Sequence, residues 1–306
     1  MKFALLPAVL FAALPLAAQQ PQPKVQPPPT KVPQAVLDSL EAHTDLVYAR
    51  YGDREMQLDL YRPKGIDKPL PAIVCIHGGG WKNGVRAAMT PTAQTLASKG
   101  YVAVTISYRL RDEAIFPAAI QDCKAAVRWL RANAAKYGID KAHIGATGLS
   151  AGGHLAALLA TSGGVKELEG AGGLNDFRSD IQACVAAGAQ SDLESERIQG
   201  LSRDPKDPFY TGFLGGTFDQ VPAQYALASP RHHLDEKDPP LAFACGELDD
   251  ASTHADETRA DLKKLGIATG LLVIPDAVHG FTRGQTWFDQ FIEFSTAFFD
   301  QHLKQG

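Results

Sequence analysis

Apolar and polar positions alternate along two early stretches, residues 45–51 and 56–61, with Gly52 and Asp53 between them. A period of two around a turn-forming pair predicts a hairpin of antiparallel edge strands. From residue 72 onward the pattern changes. Short unbroken apolar runs recur at 72–76, 102–106, 144–149, 184–187, 241–245 and 271–274, with helical patterns between them. Strands with no polar alternation are buried on both faces, so these runs predict a parallel sheet covered by helices on each side, an α/β architecture. The clearest helix follows the second run. Pro117 stands at its start, Ile120, Cys123, Val127, Leu130 and Ala134 share one face, and Gly138 lies just past its end. A last helix, residues 286–303, turns Phe288, Phe291, Ile292 and Phe299 inward. Between 189 and 240 the period disappears. That segment is rich in Gly, Asp and Pro and carries Phe209, Tyr210 and Phe213. Long irregular insertions in compact domains are usually functional, and this one is placed to wall a cleft.

Composition changes the picture mainly at the N-terminus. Met1 and Lys2 precede an apolar run to about Leu16, then Ala17 and Ala18. Charged, apolar and small residues in that order predict a secretory signal over residues 1–18, too short to span a membrane comfortably, so no stable membrane span is expected once it is cleaved. Residues 19–38 are rich in Gln and Pro and are expected to be an extended linker, leaving 39–306 as one catalytic domain. With 30 basic and 34 acidic residues the net charge is -4, and no basic stripe tracks a phosphate backbone, so nucleic acid is not an expected partner. Export permits disulfides, yet Cys75, Cys184 and Cys245 stand in core strand runs where bridging geometry is unfavourable, and four free thiols, Cys123 included, are expected. No cysteine pair has zinc-ligand spacing, and no metal is expected.

Three segments carry candidate chemistry. Gly148-Leu149-Ser150-Ala151-Gly152-Gly153 follows a strand run and precedes an Ala- and Leu-rich helix. A G-x-S-x-G turn in that setting is a tight, strained bend that leaves a serine hydroxyl exposed at the sheet edge. A second segment, His77-Gly78-Gly79-Gly80-Trp81, ends another strand. Its glycines let the backbone approach a substrate oxygen, so Gly78, Gly79 and the N–H of Ala151 are the expected oxyanion donors, while His77 orders the loop. A serine hydroxyl needs a base, and that base needs an orienting acid. His279, alone among nine histidines, stands on a loop just after the last strand run and fits the base. Asp249, after the strand run ending at Cys245, fits the acid; Asp250, Glu247 and Asp256 lie nearby, and Asp192 is another acid position. Trp81, Phe209, Tyr210 and Phe213 are candidate substrate contacts.

Taken together, the HGGGW loop, Tyr108-Arg109, Phe116-Pro117-Ala118 leading to Arg128-Trp129-Leu130, the GLSAGGHLAALLA segment, Asp238-Pro239-Pro240 and the closing HGF resemble the esterase/lipase group of α/β-hydrolases related to hormone-sensitive lipase. Within it they are most similar to bacterial acetyl and feruloyl esterases that deacylate plant polysaccharides. The resemblance spans about residues 45–303. It implies the α/β-hydrolase fold and cofactor-free hydrolysis of a small-molecule or oligosaccharide ester through an acyl-enzyme on Ser150. One departure is that Gly246-Glu247-Leu248-Asp249 continues into the polar Asp250-Ala251-Ser252-Thr253, where relatives commonly have an apolar, Pro-containing stretch. A general carboxylesterase or lipase, a prolyl-oligopeptidase-like peptidase and an arylformamidase share this machinery. A non-catalytic binding protein on the same scaffold would be expected to lack the serine or the histidine.

Overall fold

The computed structural model describes residues 22–304, and the expected export signal lies outside them. Its strands are β1 (Leu40–Tyr51), β2 (Arg54–Pro63), β3 (Leu70–Ile76), β4 (Val102–Ile106), β5 (Ile139–Leu149), β6 (Ala183–Ala187), β7 (Leu241–Gly246) and β8 (Leu271–Ile274). They form one sheet in the order β1-β2-β4-β3-β5-β6-β7-β8, in which β2 alone runs against the others. The helices are α1 (Gln34–Asp38), α2 (Thr90–Ser98), α3 (Ala118–Ala132), α4 (Ala134–Tyr137), α5 (Ala151–Thr161), α6 (Glu196–Ser202), α7 (Phe209–Leu214), α8 (Pro222–Ala228), α9 (Asp256–Lys264) and α10 (Gln285–Leu303). This is the α/β-hydrolase fold, a mostly parallel sheet with helices on both faces.

The unbroken apolar runs other than the last become interior strands because both of their faces are covered; the last run becomes β8, an edge strand in which only Ile274 is buried. Along β3, Ala72, Val74 and Ile76 enter the core layer built with α3 and α5, while Ile73 and Cys75 enter the layer built with α2 and α10. Each large aliphatic side chain removed from water in this way contributes roughly 1.5–3 kcal/mol. All four cysteines are buried and unpaired, and burial pushes their thiols up in pKa.

Several boundaries differ from the pattern, each for a physical reason. β2 is an interior strand rather than an edge: Met56, Leu58 and Leu60 fill one face, and on the other Asp59 is paired with Arg86 Nε at 3.0 Å. β1 and β5 begin five residues earlier than their apolar runs, because their first turns of chain pair at the sheet end where side chains meet solvent. The long helix breaks at Asn133, whose side-chain amide donates to Trp129 O at 2.9 Å, and α4 then ends on Gly138 at φ +61°. The insertion after β6 holds three short helices, α6, α7 and α8. Residues 22–33 form no helix and bend at Lys24 and Val25, and they are docked along residues 276–285 rather than free. Among the described residues no helix is long and apolar enough to cross a membrane.

The parallel register brings the carboxyl ends of five neighbouring strands together. Ile76 pairs with Gly148, Leu149 with Ala187, Ala187 with Ala244 and Gly246 with Ile274. The loops that follow these residues therefore share one edge of the sheet, the place where open α/β sheets bind ligands.

Candidate active site

Ser150 sits between β5 and α5 at φ 60°, ψ −123°, a conformation costly for a side chain with a Cβ. Neighbouring glycines make the bend possible. A Cβ on Gly152 would stand 2.1 Å from Ile76 O, and one on Gly148 would stand 2.3 Å from Gly152 O. Ser150 N–H donates to Ala187 O at 2.8 Å, tying the turn to β6. The strain is held by the sheet on one side and by the buried helix α5 on the other.

The residues that sequence spacing singles out meet here. His279 Nε2 lies 2.8 Å from Ser150 Oγ, and its Nδ1 lies 2.9 and 2.8 Å from the two carboxylate oxygens of Asp249. The side chain of Asp249 is 5% exposed, that of His279 40%. The hydrogen bond to Asp249 raises the imidazole pKa above its ordinary value, with burial acting in the opposite direction. Nearby acids go elsewhere. Asp192 pairs with Arg231 at 3.0 Å, Glu247 accepts Asp276 N–H at 2.8 Å, Asp256 pairs with Arg259, and Asp250 pairs with Arg197.

The HGGGW loop folds over this point. Gly79, Gly80 and Trp81 all have positive φ, and a Cβ on Gly78 would stand 2.6 Å from Leu149 O, so the loop backbone presses against the serine turn. Ala151, the first residue of α5, lines the same cavity. His77 is held inside by its Nδ1 contact with Gly78 O (2.8 Å) and by stacking on Tyr108 at 4.3 Å, and burial lowers its pKa. It holds the loop and does not reach Ser150.

A cavity of about 370 Å³ opens over Ser150 and His279. Part of its lining is aromatic. Trp81, Phe209 and Tyr210 line it, whereas Phe213 lies behind, stacked on Trp81 at 4.2 Å. His154 closes the floor; its Nε2 meets Ala228 O at 2.7 Å and burial drops its pKa to about 4, so it is neutral. Polar residues line the cavity as well, Gln190, Arg197, Asp207 and Asp250, and Arg197 interacts with Tyr210. Sequence reasoning did not find Gln190, Arg197 and Asp207, and it met Asp250 only as a neighbour of the acid position. Arg197 and Asp207 sit in the aperiodic insertion, where no spacing marks one charged residue above another. Gly188, also lining the cavity, was findable as the residue just past a strand run. At φ +54°, a Cβ there would come within 3.2 Å of His279 Cε1.

Comparison with known proteins agrees with this fold. The chain is 30% identical to the esterase LipC of Mycobacterium tuberculosis, over 87% of this chain and 66% of LipC, so it spans just under two thirds of that relative. A truncated carbohydrate esterase from gut microbiota superposes with a TM-score of 0.73 at 29% identity, over 85% of this chain and 96% of that one. The thermophilic esterase Est2 of the planctomycete Thermogutta terrifontis gives 0.72 at 27% identity, over 85% and 92%. The BD-FAE family model matches residues 58–260, which contain the HGGGW loop, Ser150, the insertion and Asp249. The chain belongs to the BD-FAE family, within the esterase/lipase group of α/β-hydrolases.

Proposed function

We propose that this protein is a serine carboxylesterase that removes short or aromatic acyl groups from plant polysaccharides, as acetyl xylan and feruloyl esterases do. The observation that carries the reading is the unbroken hydrogen-bonded series Ser150–His279–Asp249 opening into a cavity of mixed character. In the mechanism, His279 Nε2 takes the Ser150 proton as Oγ attacks the ester carbonyl. Asp249 fixes the tautomer that leaves Nε2 free to accept and stabilises the imidazolium that forms. The N–H groups of Gly78, Gly79 and Ala151 receive the developing oxyanion, each donor worth about 3–4 kcal/mol of transition-state stabilisation. His279 then returns its proton to the departing alkoxide, and water repeats the sequence on the acyl-enzyme.

The cavity supports the substrate class. Its aromatic residues suit an acyl group, its volume is near the small end for ligand sites, and its polar residues offer donors and acceptors to a hydroxylated alcohol. The similarity to a carbohydrate esterase points the same way. Export to the periplasm or medium, supported by the charged, apolar and small order of residues 1–18, would place the enzyme where such polymers are met.

The test is hydrolysis by purified protein of acetylated xylo-oligosaccharides, methyl ferulate, p-nitrophenyl esters of increasing length and N-formylkynurenine, with Ser150→Ala as the blank. Preference for acylated sugars, lost in the blank, is expected. Activity confined to activated or long-chain esters would remove the carbohydrate assignment, and full activity in the blank would remove Ser150 as nucleophile.

A further inference from the structure

The loop that carries His279 is held from outside by the N-terminal segment. Between β8 and α10 the chain runs from Asp276 to Gly284 without regular structure beyond one 3-10 turn at Phe281–Arg283. His279 stands inside this stretch. Residues 24–31 run along it and fasten both of its ends. At the first end, the backbone N–H of Lys24 donates to both carboxylate oxygens of Asp276, at 2.9 and 2.8 Å, and Val25 N–H donates to one of them at 3.2 Å. At the other end, Thr30 N–H reaches Arg283 O at 2.9 Å and the Thr30 hydroxyl reaches Thr282 O at 2.8 Å. Gln285 N–H donates to Pro28 O at 2.8 Å, and Lys31 N–H to Gln285 Oε1 at 2.7 Å. Between these points Pro29 bridges Gly284 in an antiparallel step, and a Cβ on Gly284 would stand 2.3 Å from Pro27 Cγ.

Asp276 also ties the loop to the acid. Its own N–H donates to Glu247 Oε2 at 2.8 Å, two residues before Asp249. The segment therefore fixes a residue that bridges the two loops bearing the imidazole and its carboxylate. Prolines 27–29 lower the cost of ordering it, because their φ is set before docking.

We propose that residues 24–31 are a strap that positions the His279 loop, so that the imidazole stays in register with Ser150. The proposal rests on His279 being the base. Cleavage near Ala18, the expected site, leaves the strap on the mature chain. Its residues touch no reacting atom; they act through the loop. Displacement of a catalytic group by about 1 Å can cost a hundredfold in rate, and partial release of the strap costs part of that.

The test leaves the domain's own residues untouched. In the full chain, Lys24→Pro with Val25→Pro removes the two N–H donors to Asp276, Thr30→Val removes the hydroxyl bond, and Thr30→Ser restores it. Rates on p-nitrophenyl acetate, labelling by a fluorophosphonate probe and Tm are compared with wild type and with His279→Ala. The triple variant K24P/V25P/T30V is expected to lose about five- to tenfold in kcat and in labelling rate with KM within twofold, measured well below its Tm. Reversion at position 30 to Ser recovers part of the loss. An unchanged kcat in the triple variant, alongside an inactive His279→Ala, overturns the strap and leaves the esterase intact. Activity in His279→Ala equal to wild type removes the underlying assignment instead.

Discussion

A base must be neutral to take a proton, so the direction of the His279 pKa sets the acid limb of activity. The hydrogen bond that His279 donates to Asp249 raises that pKa above the ordinary imidazole value, favouring the protonated ring. The value of kcat/KM is therefore expected to fall as pH drops through a midpoint above about 6.5, the unperturbed histidine value. Asp249→Asn removes the anion that holds the proton, so the midpoint moves down while kcat falls about 10⁴-fold, because the tautomer is no longer fixed. A pH–rate profile of both proteins checks the two effects, and an unmoved midpoint would count against Asp249 as the orienting acid. Gly188 offers a second, purely steric probe. Alanine at φ +54° costs about 1–2 kcal/mol of backbone energy and puts a methyl group 3.2 Å from His279 Cε1. Gly188→Ala is expected to lower kcat about tenfold with a modest loss of Tm.

Among elements, the connection from β4 to α3 is held by a buried ion pair. Asp122, fully buried on α3, accepts from Arg109 N–H at 2.7 Å and from the Arg109 guanidinium at 2.8 to 3.1 Å, and that guanidinium also lies 3.5 Å from the Tyr51 ring centroid. Removing one partner of such a pair leaves an uncompensated buried charge. Asp122→Ala is expected to destabilise the protein by about 3–5 kcal/mol, read from urea unfolding, with the activity of the folded fraction retained. The same scale shows what the sequence could tell. Strands β3, β4, β6 and β7 were legible because burial on both faces writes an unbroken apolar run, β8 because its run is as apolar although it stands at the sheet edge with only Ile274 buried, and α3 and α10 because a long helix repeats its apolar spacing several times. Helices α6, α7 and α8 were not, since six or seven residues give barely two turns and no period to detect. The interior place of β2 was hidden for another reason: Asp59 reads as a solvent-facing residue until Arg86, from a distant loop, covers it.

At the scale of the whole molecule, five loops at one sheet edge bring Ser150, His279, Asp249 and the HGGGW segment together, and their order along the chain made them legible. What the chain order does not encode is the wall that the insertion brings across. Arg111 shows how that wall is fixed: its N–H donates to Trp81 O at 2.8 Å, and its guanidinium donates to Pro208 O and Phe209 O at 3.0 and 2.8 Å. Beside Tyr210, Arg197 on α6 pairs with Asp250 of the acid loop, so donor and acceptor stand side by side in the cavity lining. Both side chains are over a third exposed, at 45% and 38%, and an exposed pair of this kind adds at most about 1 kcal/mol to stability. Its consequence should therefore appear in selectivity. A sugar offers neighbouring hydroxyls that can accept from Arg197 and donate to Asp250, whereas p-nitrophenol offers neither arrangement. Arg197→Ala is expected to lower kcat/KM for acetylated xylo-oligosaccharides about tenfold more than for p-nitrophenyl acetate, about 1.4 kcal/mol of discrimination, with Tm almost unmoved. A parallel fall on both esters would mean that Arg197 only shapes the insertion, and the hydroxyl-reading side of the cavity would have to be sought at Gln190 and Asp207.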